Sequence, residues 1–199
     1  NNLMDIKKLD IFITKSIDDS QHLMNLIRQD RLFLDSIKEI SLACCRSIEN
    51  RGKIIFAGNG GSACDAQHFA TELMVRFSKN RAALPAIALN SDSTLITACS
   101  NDFGFEMIFT RQLEGIATEN DLFFGISTSG KSKNILSALK FARSKGIHSV
   151  FLTGSTNPDI HYLCDHVIKV PSENTARIQE MHSLCGHIIC AIIENYFFE

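Results

Sequence analysis

Five short runs of nearly continuous apolar residues constrain this chain more than any other feature. They are "KIIFAG" (53–58), "PAIAL" (85–89), "DLFFGIS" (121–127), "HSVFLTG" (148–154) and "HVIKVP" (166–171). A strand with one face in water alternates apolar and polar side chains. Runs without that alternation belong to strands covered on both faces, as in parallel sheets. Helical patterns fill the gaps at 62–78, 104–118 and 132–145, and a last one covers about 175–198. The third places Ile135, Leu139 and Ala142 on one face, and the last carries Ile178, Met181, Cys185, Ile188 and Ile192. Strands alternating with helices predict a doubly wound α/β fold around a parallel sheet. Ligands of such sheets sit beyond the carboxyl ends of the strands.

Two helices precede the first strand. Phe33, Ile37, Ile40, Cys44 and Ile48 recur at spacings of three and four, as do Ile6, Leu9, Ile13 and Ile17. The chain therefore divides into a helical extension, 1–50, and a sheet domain, 51–199. The extension packs either on its own domain or on a neighbouring subunit. A length of 199 residues, with 45% hydrophobic and 21% charged, suits one ordinary globular domain with this addition. A net charge of −2 advertises no basic surface for nucleic acid. No apolar run approaches the roughly 20 residues that a membrane-spanning helix needs, and the first residues hold no signal-peptide core. The seven cysteines include no C-x-x-C, so neither a disulfide framework nor a cysteine zinc site is expected, and a cytoplasmic location fits.

Three loops after strands carry polar chemistry. Gly58-Asn59-Gly60-Gly61-Ser62 follows the first strand. Its glycines allow close approach to a ligand, and Ser62 is placed to cap the next helix; the plain alternative is a tight strand-to-helix turn. Ser127, Thr128, Ser129 and Ser132 follow the third strand. Four hydroxyls at a helix N-terminus suit a phosphate, whereas capping alone needs one serine. The segment "SNDFGF" (100–105) holds Asn101 and Asp102. It offers either a helix start capped by Asp102 or hydrogen bonds to sugar hydroxyls.

His68 and Glu72 are one helical turn apart, so their side chains can meet at one metal ion or one substrate atom, or form an ordinary surface pair. Gln179 and His187 lie eight residues apart on the last helix. That spacing gives about 12 Å of rise. The two either stretch to one ion, serve different ends of one substrate, belong to sites shared between subunits, or form a polar stripe. His182 falls outside their alignment and reads as structural. Neither H-E-x-x-H nor G-x-S-x-G occurs.

The segments "GNGGSACDAQHFATEL", "ALPAIAL", "NDFGFE", "GISTSGKSKNI" and "ARIQEMHSLCGH" resemble the sugar isomerase (SIS) family, and within it the phosphoheptose isomerase branch. The resemblance covers about residues 50–195. It implies a five-stranded parallel sheet between helices, a homotetramer with sites at subunit boundaries, and interconversion of sedoheptulose 7-phosphate with a mannoheptose 7-phosphate on the way to ADP-heptose and lipopolysaccharide. By the same resemblance Ser127, Thr128, Ser129 and Ser132 hold the phosphate. Asn59, Gly60, Gly61, Ser62, Asn101 and Asp102 line the sugar, Arg76 and Gln179 reach substrate, and Glu72 and His187 transfer protons. Zinc is implied on His68, Glu72, Gln179 and His187. Moving a proton between adjacent carbons needs a base, and the oxygen of the enediol needs a group that stabilises or protonates it. The competing reading is a non-catalytic SIS module, either a sugar-phosphate sensor or a replication-initiator-binding regulator. The regulator shares "AQHFA", "LPAIALN" and "ARIQEMH" but lacks the acid at 72 and the imidazole at 187. An isomerase for another sugar phosphate is a third reading.

Overall fold

A computed structural model describes residues 6–156, 160 and 162–199. Residues 157–159 of the loop expected at 154–159 lie outside the described residues. All five apolar runs are strands: β1 (Ile54–Gly58), β2 (Ala86–Ala88), β3 (Leu122–Ser127), β4 (His148–Thr153) and β5 (His166–Lys169). They form one parallel sheet in the order β2-β1-β3-β4-β5. β1 and β3 are buried throughout, as their unbroken apolar character requires, whereas the edge strands β2 and β5 are partly open. Alternate residues face opposite layers. Ile54, Phe56, Leu122, Phe124 and Leu152 pack under α2 (Arg31–Glu49), α3 (Gly61–Met74) and α7 (Thr175–Phe198). Ile55, Ala57, Phe123 and Phe151 pack against α4 (Ser93–Phe103), α5 (Ile108–Ile116) and α6 (Lys133–Ser144).

From β1 the chain moves outward to β2, then crosses back to β3 on β1's other side. The switch point therefore lies between β1 and β3. The glycine loop and the serine loop leave the carboxyl ends of these two strands, so topology alone sets them side by side.

Both N-terminal helices form, α1 over Ile6–Gln29 and α2 behind an Asp30 cap that accepts from the Leu32 and Phe33 N–H groups. Phe33, Ile37, Ile40 and Cys44 of α2 join the sheet core. α1 enters it only through Leu23 and Ile27; Ile6, Ile13 and Ile17 stay 74%, 55% and 62% exposed in the single chain. α1 is also tied to α7 by Ser20 Oγ donating to Glu180 (2.7 Å) and by Arg177 donating to the Ser16 carbonyl.

Several sequence expectations need correction. α3 stops at Met74 rather than 78, because Arg81 and the Leu84 N–H take its last carbonyls. The segment expected as one helix at 104–118 is a 3-10 turn, Phe105–Met107, followed by α5. α4 was not anticipated. Asp92 caps it, accepting from Leu95 N–H at 2.9 Å, and Asp102 lies in its last turn instead of starting a helix. Ser62 caps nothing; Gly60 (φ 55°) takes the N-cap position of α3, and Ser62 is buried one residue into the helix. The apolar stripe of α7 runs through Ile189, Cys190 and Ile193, leaving Ile188 exposed and Ile192 only partly buried.

Candidate active site

α3 and α7 run side by side in the same direction, since their contacts rise together along both helices. Gly61 meets Gln179, Asp65 meets Ser183, Phe69 meets Gly186 and His68 meets His187. His68 Nε2 and His187 Nε2 are 2.8 Å apart, and His68 Nε2 is 3.4 Å from Glu72 Oε1. Ligand atoms of His68, Glu72 and His187 all lie within 4.8 Å of one another. Residues 115 positions apart in sequence thus share one site. The Phe69 and Phe77 rings flank His187, with centroids 6.4 and 5.9 Å from it. Glu72 is only 18% exposed and His68 47%, so the cluster opens to solvent on one side.

Gln179 occupies the other end of this seam, its amide against Gly61; a Cβ on Gly61 would lie 2.4 Å from that amide. Among the described residues no hydrogen bond joins Gln179 to His68, Glu72 or His187. The glycine loop is fastened to the serine-loop helix by a reciprocal amide pair. Asn59 Nδ2 donates to Asn134 Oδ1 and Asn134 Nδ2 to Asn59 Oδ1, each at 2.9 Å. The pair fixes the Asn59 amide in place, with Gly60 and Gly61 exposed beside it. Ser132 sits at the N-cap of α6, yet its hydroxyl makes no capping bond. It meets Ser127 Oγ at 2.8 Å, and Ser129 Oγ lies 3.5 Å from the same atom. Ser129 Oγ also accepts from the Lys131 N–H at 3.2 Å, so three hydroxyls gather just before the α6 N-terminus, where donors and the helix dipole favour negative charge. Asn101 donates to Asp102 at 2.8 Å at the exposed end of α4. Arg76 stands exposed just past α3, on non-helical chain.

Sequence reasoning missed Asp65, Asn134 and Gly186. Asp65 is one turn before His68 on the buried side of α3. Its Oδ1 accepts from Ser183 at 2.7 Å, and Oδ2 is buried without a partner. Burial raises its proton affinity, opposed by the Ser183 hydrogen bond and by His68 and His187. The i−3 spacing to His68 was the available signal.

His182, expected to be structural, is wholly buried with Nε2 3.3 Å from the Thr153 carbonyl, and burial pushes its pKa down to about 4. Its imidazole binds a proton less readily in the fold than in the unfolded chain, where the value is near 6.5. Stability should therefore be full above pH 6.5 and fall as pH drops toward 4, by roughly 3 kcal/mol for the whole interval. Glu194 extends the loss. Burial works against its charge, but N–H groups of Ser78, Lys79 and Phe77 hold its pKa down to about 2, so its contribution fades below pH 4.5. Urea midpoints measured from pH 7 to 4 should decline in wild type and flatten in His182→Gln. A flat wild-type profile over that range would contradict the assignment.

Residues 18–154 match the SIS domain family. The chain is 43% identical to the phosphoheptose isomerase of Burkholderia pseudomallei over 94% of its own length and 95% of that protein. It is 45% identical to phosphoheptose isomerase 2 of Campylobacter jejuni, over 97% and 96%. The chain belongs to the phosphoheptose isomerase family of SIS-domain proteins. Solved structures agree. The phosphoheptose isomerase of Francisella tularensis superposes with a TM-score of 0.89 at 36% identity, covering 94% of this chain and 98% of that one. The Neisseria gonorrhoeae phosphoheptose isomerase gives 0.87 at 33%, covering 94% and 99%. Within this SIS fold, the α3–α7 seam and the two loops at the β1–β3 switch point are the candidate site.

Proposed function

We propose that this chain is an aldose–ketose isomerase interconverting sedoheptulose 7-phosphate and D-glycero-D-manno-heptose 7-phosphate through an enediol, in the pathway to ADP-heptose and lipopolysaccharide. Its extensive identity to phosphoheptose isomerases supports the reaction class. The observation that carries the mechanism is the convergence of Glu72 and His187, from different helices, on one opening. The serine loop at the switch point takes the phosphate, its hydroxyls and the α6 N-terminus supplying donors. Glu72 removes a proton from the carbon beside the carbonyl; the electron pair becomes the enediol double bond, and His187 gives a proton to the carbonyl oxygen. Return of a proton from Glu72 to the neighbouring carbon, with a proton leaving the other hydroxyl, completes the exchange. A module that only binds its ligand has no need of a carboxylate and an imidazole meeting in this way.

Two imidazole nitrogens and a carboxylate oxygen within 4.8 Å are a donor set that fits zinc. His68, Glu72 and His187 would hold it, with Gln179 the further candidate from α7; a carboxylate bound to zinc is a weaker base, so the metal-holding and proton-transfer roles of Glu72 compete. Bound there, zinc would supply Lewis-acid polarisation of the sugar carbonyl. Metal analysis of purified protein should find zinc near one per chain, lowered in His68→Ala. We also propose a cytoplasmic homotetramer, in which a neighbouring subunit covers the exposed apolar face of α1.

Following sedoheptulose 7-phosphate by NMR tests the function directly: wild type should generate the aldose, and a silent wild type that retains its fold would refute the reading. Ser127→Ala should raise KM about tenfold or more through loss of a hydrogen bond to a charged group, with kcat changed much less. Unchanged KM in that variant would remove the serine loop from phosphate binding.

A further inference from the structure

Glu72 lies in the last full turn of α3, where helices ordinarily fray because their final carbonyls lack partners. Here those carbonyls are clamped. Arg81, its side chain only 2% exposed, donates to the carbonyls of Glu72 (2.9 Å), Leu73 (2.6 Å) and Ala82 (3.0 Å). Its Nε donates to Glu194 of α7 at 3.3 Å. Glu194 is itself 1% exposed and accepts from the N–H groups of Phe77 (2.8 Å), Ser78 (2.9 Å) and Lys79 (2.6 Å) and from the Ser78 hydroxyl (2.9 Å). One carboxylate thus straps the non-helical segment 77–81 onto α7. The strap has two ends at the candidate site: Arg81 on the backbone of Glu72, and the Phe77 ring beside His187.

We infer that Glu194 and Arg81 are positioning residues for proton transfer, fixing the turn that carries Glu72 and the ring that backs His187. The inference rests on the proposed roles of Glu72 and His187. A surface salt bridge would contribute little, but this pair is buried, directional and connected to six backbone groups, so its loss is felt as displacement of what it holds. A carboxylate base shifted by about 1 Å from its carbon loses up to about a hundredfold in rate. The serine loop, on the other side of the switch point, is untouched by the strap.

Glu194→Gln presents an N–H₂ group to N–H donors and loosens the strap; Arg81→Lys keeps the charge but cannot reach both α3 carbonyls. Steady-state kinetics with sedoheptulose 7-phosphate should show kcat lowered about tenfold or more in each variant, with KM within about twofold of wild type. On a Glu72→Gln background neither change should lower the residual rate further, because the group being positioned is gone. A folded Glu194→Gln or Arg81→Lys with wild-type kcat overturns the inference, as does a loss confined to KM or one repeated in full on the Glu72→Gln background. Should Glu194→Gln prove too unstable to purify, Arg81→Lys decides by the same criteria. If wild type turns over and Glu72→Gln does not, the outcome bears on the strap alone. An active Glu72→Gln removes the proton-transfer reading and the strap's role with it.

Discussion

Glu72→Gln is expected to melt close to wild type and to isomerise sedoheptulose 7-phosphate about a hundred- to ten-thousand-fold more slowly. The two expectations have separate causes. The contact between Glu72 and His68, 3.4 Å long with His68 nearly half exposed, contributes little to folding. Glutamine has the same shape and keeps one oxygen, so the last turn of α3 remains clamped by Arg81. What glutamine cannot do is accept a proton from carbon. The defect should therefore appear in kcat, and in lost exchange of the substrate's C–H with deuterated solvent, while KM stays close to wild type. Retained solvent exchange in this variant would place the base elsewhere, and His187→Gln would then be the next candidate to examine.

The strands were legible because their chemistry is one-dimensional: a buried parallel strand must be apolar at every position, and "LFFGIS" has no other comfortable setting. The helices at the site were legible in outline only. α4 escaped notice because "STLITACSNDF" is rich in hydroxyls and asparagine, residues whose side chains compete for the backbone, and its cap at Asp92 sits before any clear apolar period. The stripe on α7 was misread because Ile188, Ile189, Ile192 and Ile193 form two adjacent i, i+4 rows, and only the position of α3 decides which is inside. Of the site, the polar residues announced themselves by kind and spacing. The residues that bring them together did not. Asp65, Asn134, Arg81 and Glu194 act across sequence gaps of 75 to 118 residues, and no local pattern encodes such pairings.

Gly186 belongs to that second group, and Gly186→Ala is expected to cost far more in activity than in stability. A Cβ at this position would lie 2.1 Å from two ring carbons of Phe69. Phe69 is 1% exposed and packs edge-on against Phe56 with centroids 5.9 Å apart, so the ring has no space to turn aside. The remaining relief is to separate α3 from α7. Overpacking of this kind costs about 1–3 kcal/mol, and the better helix propensity of alanine offsets up to about 1 kcal/mol of it. The net loss leaves a folded protein. Yet His187 is the next residue after Gly186, and His68 immediately precedes Phe69, so the displacement falls directly on the 2.8 Å approach between the two imidazoles. A shift of about 1 Å there should lower kcat about a hundredfold, with the melting temperature reduced by only a few degrees. A variant that melts lower but turns over like wild type would show that the imidazole pair and Glu72 are held by something other than the close approach of these two helices.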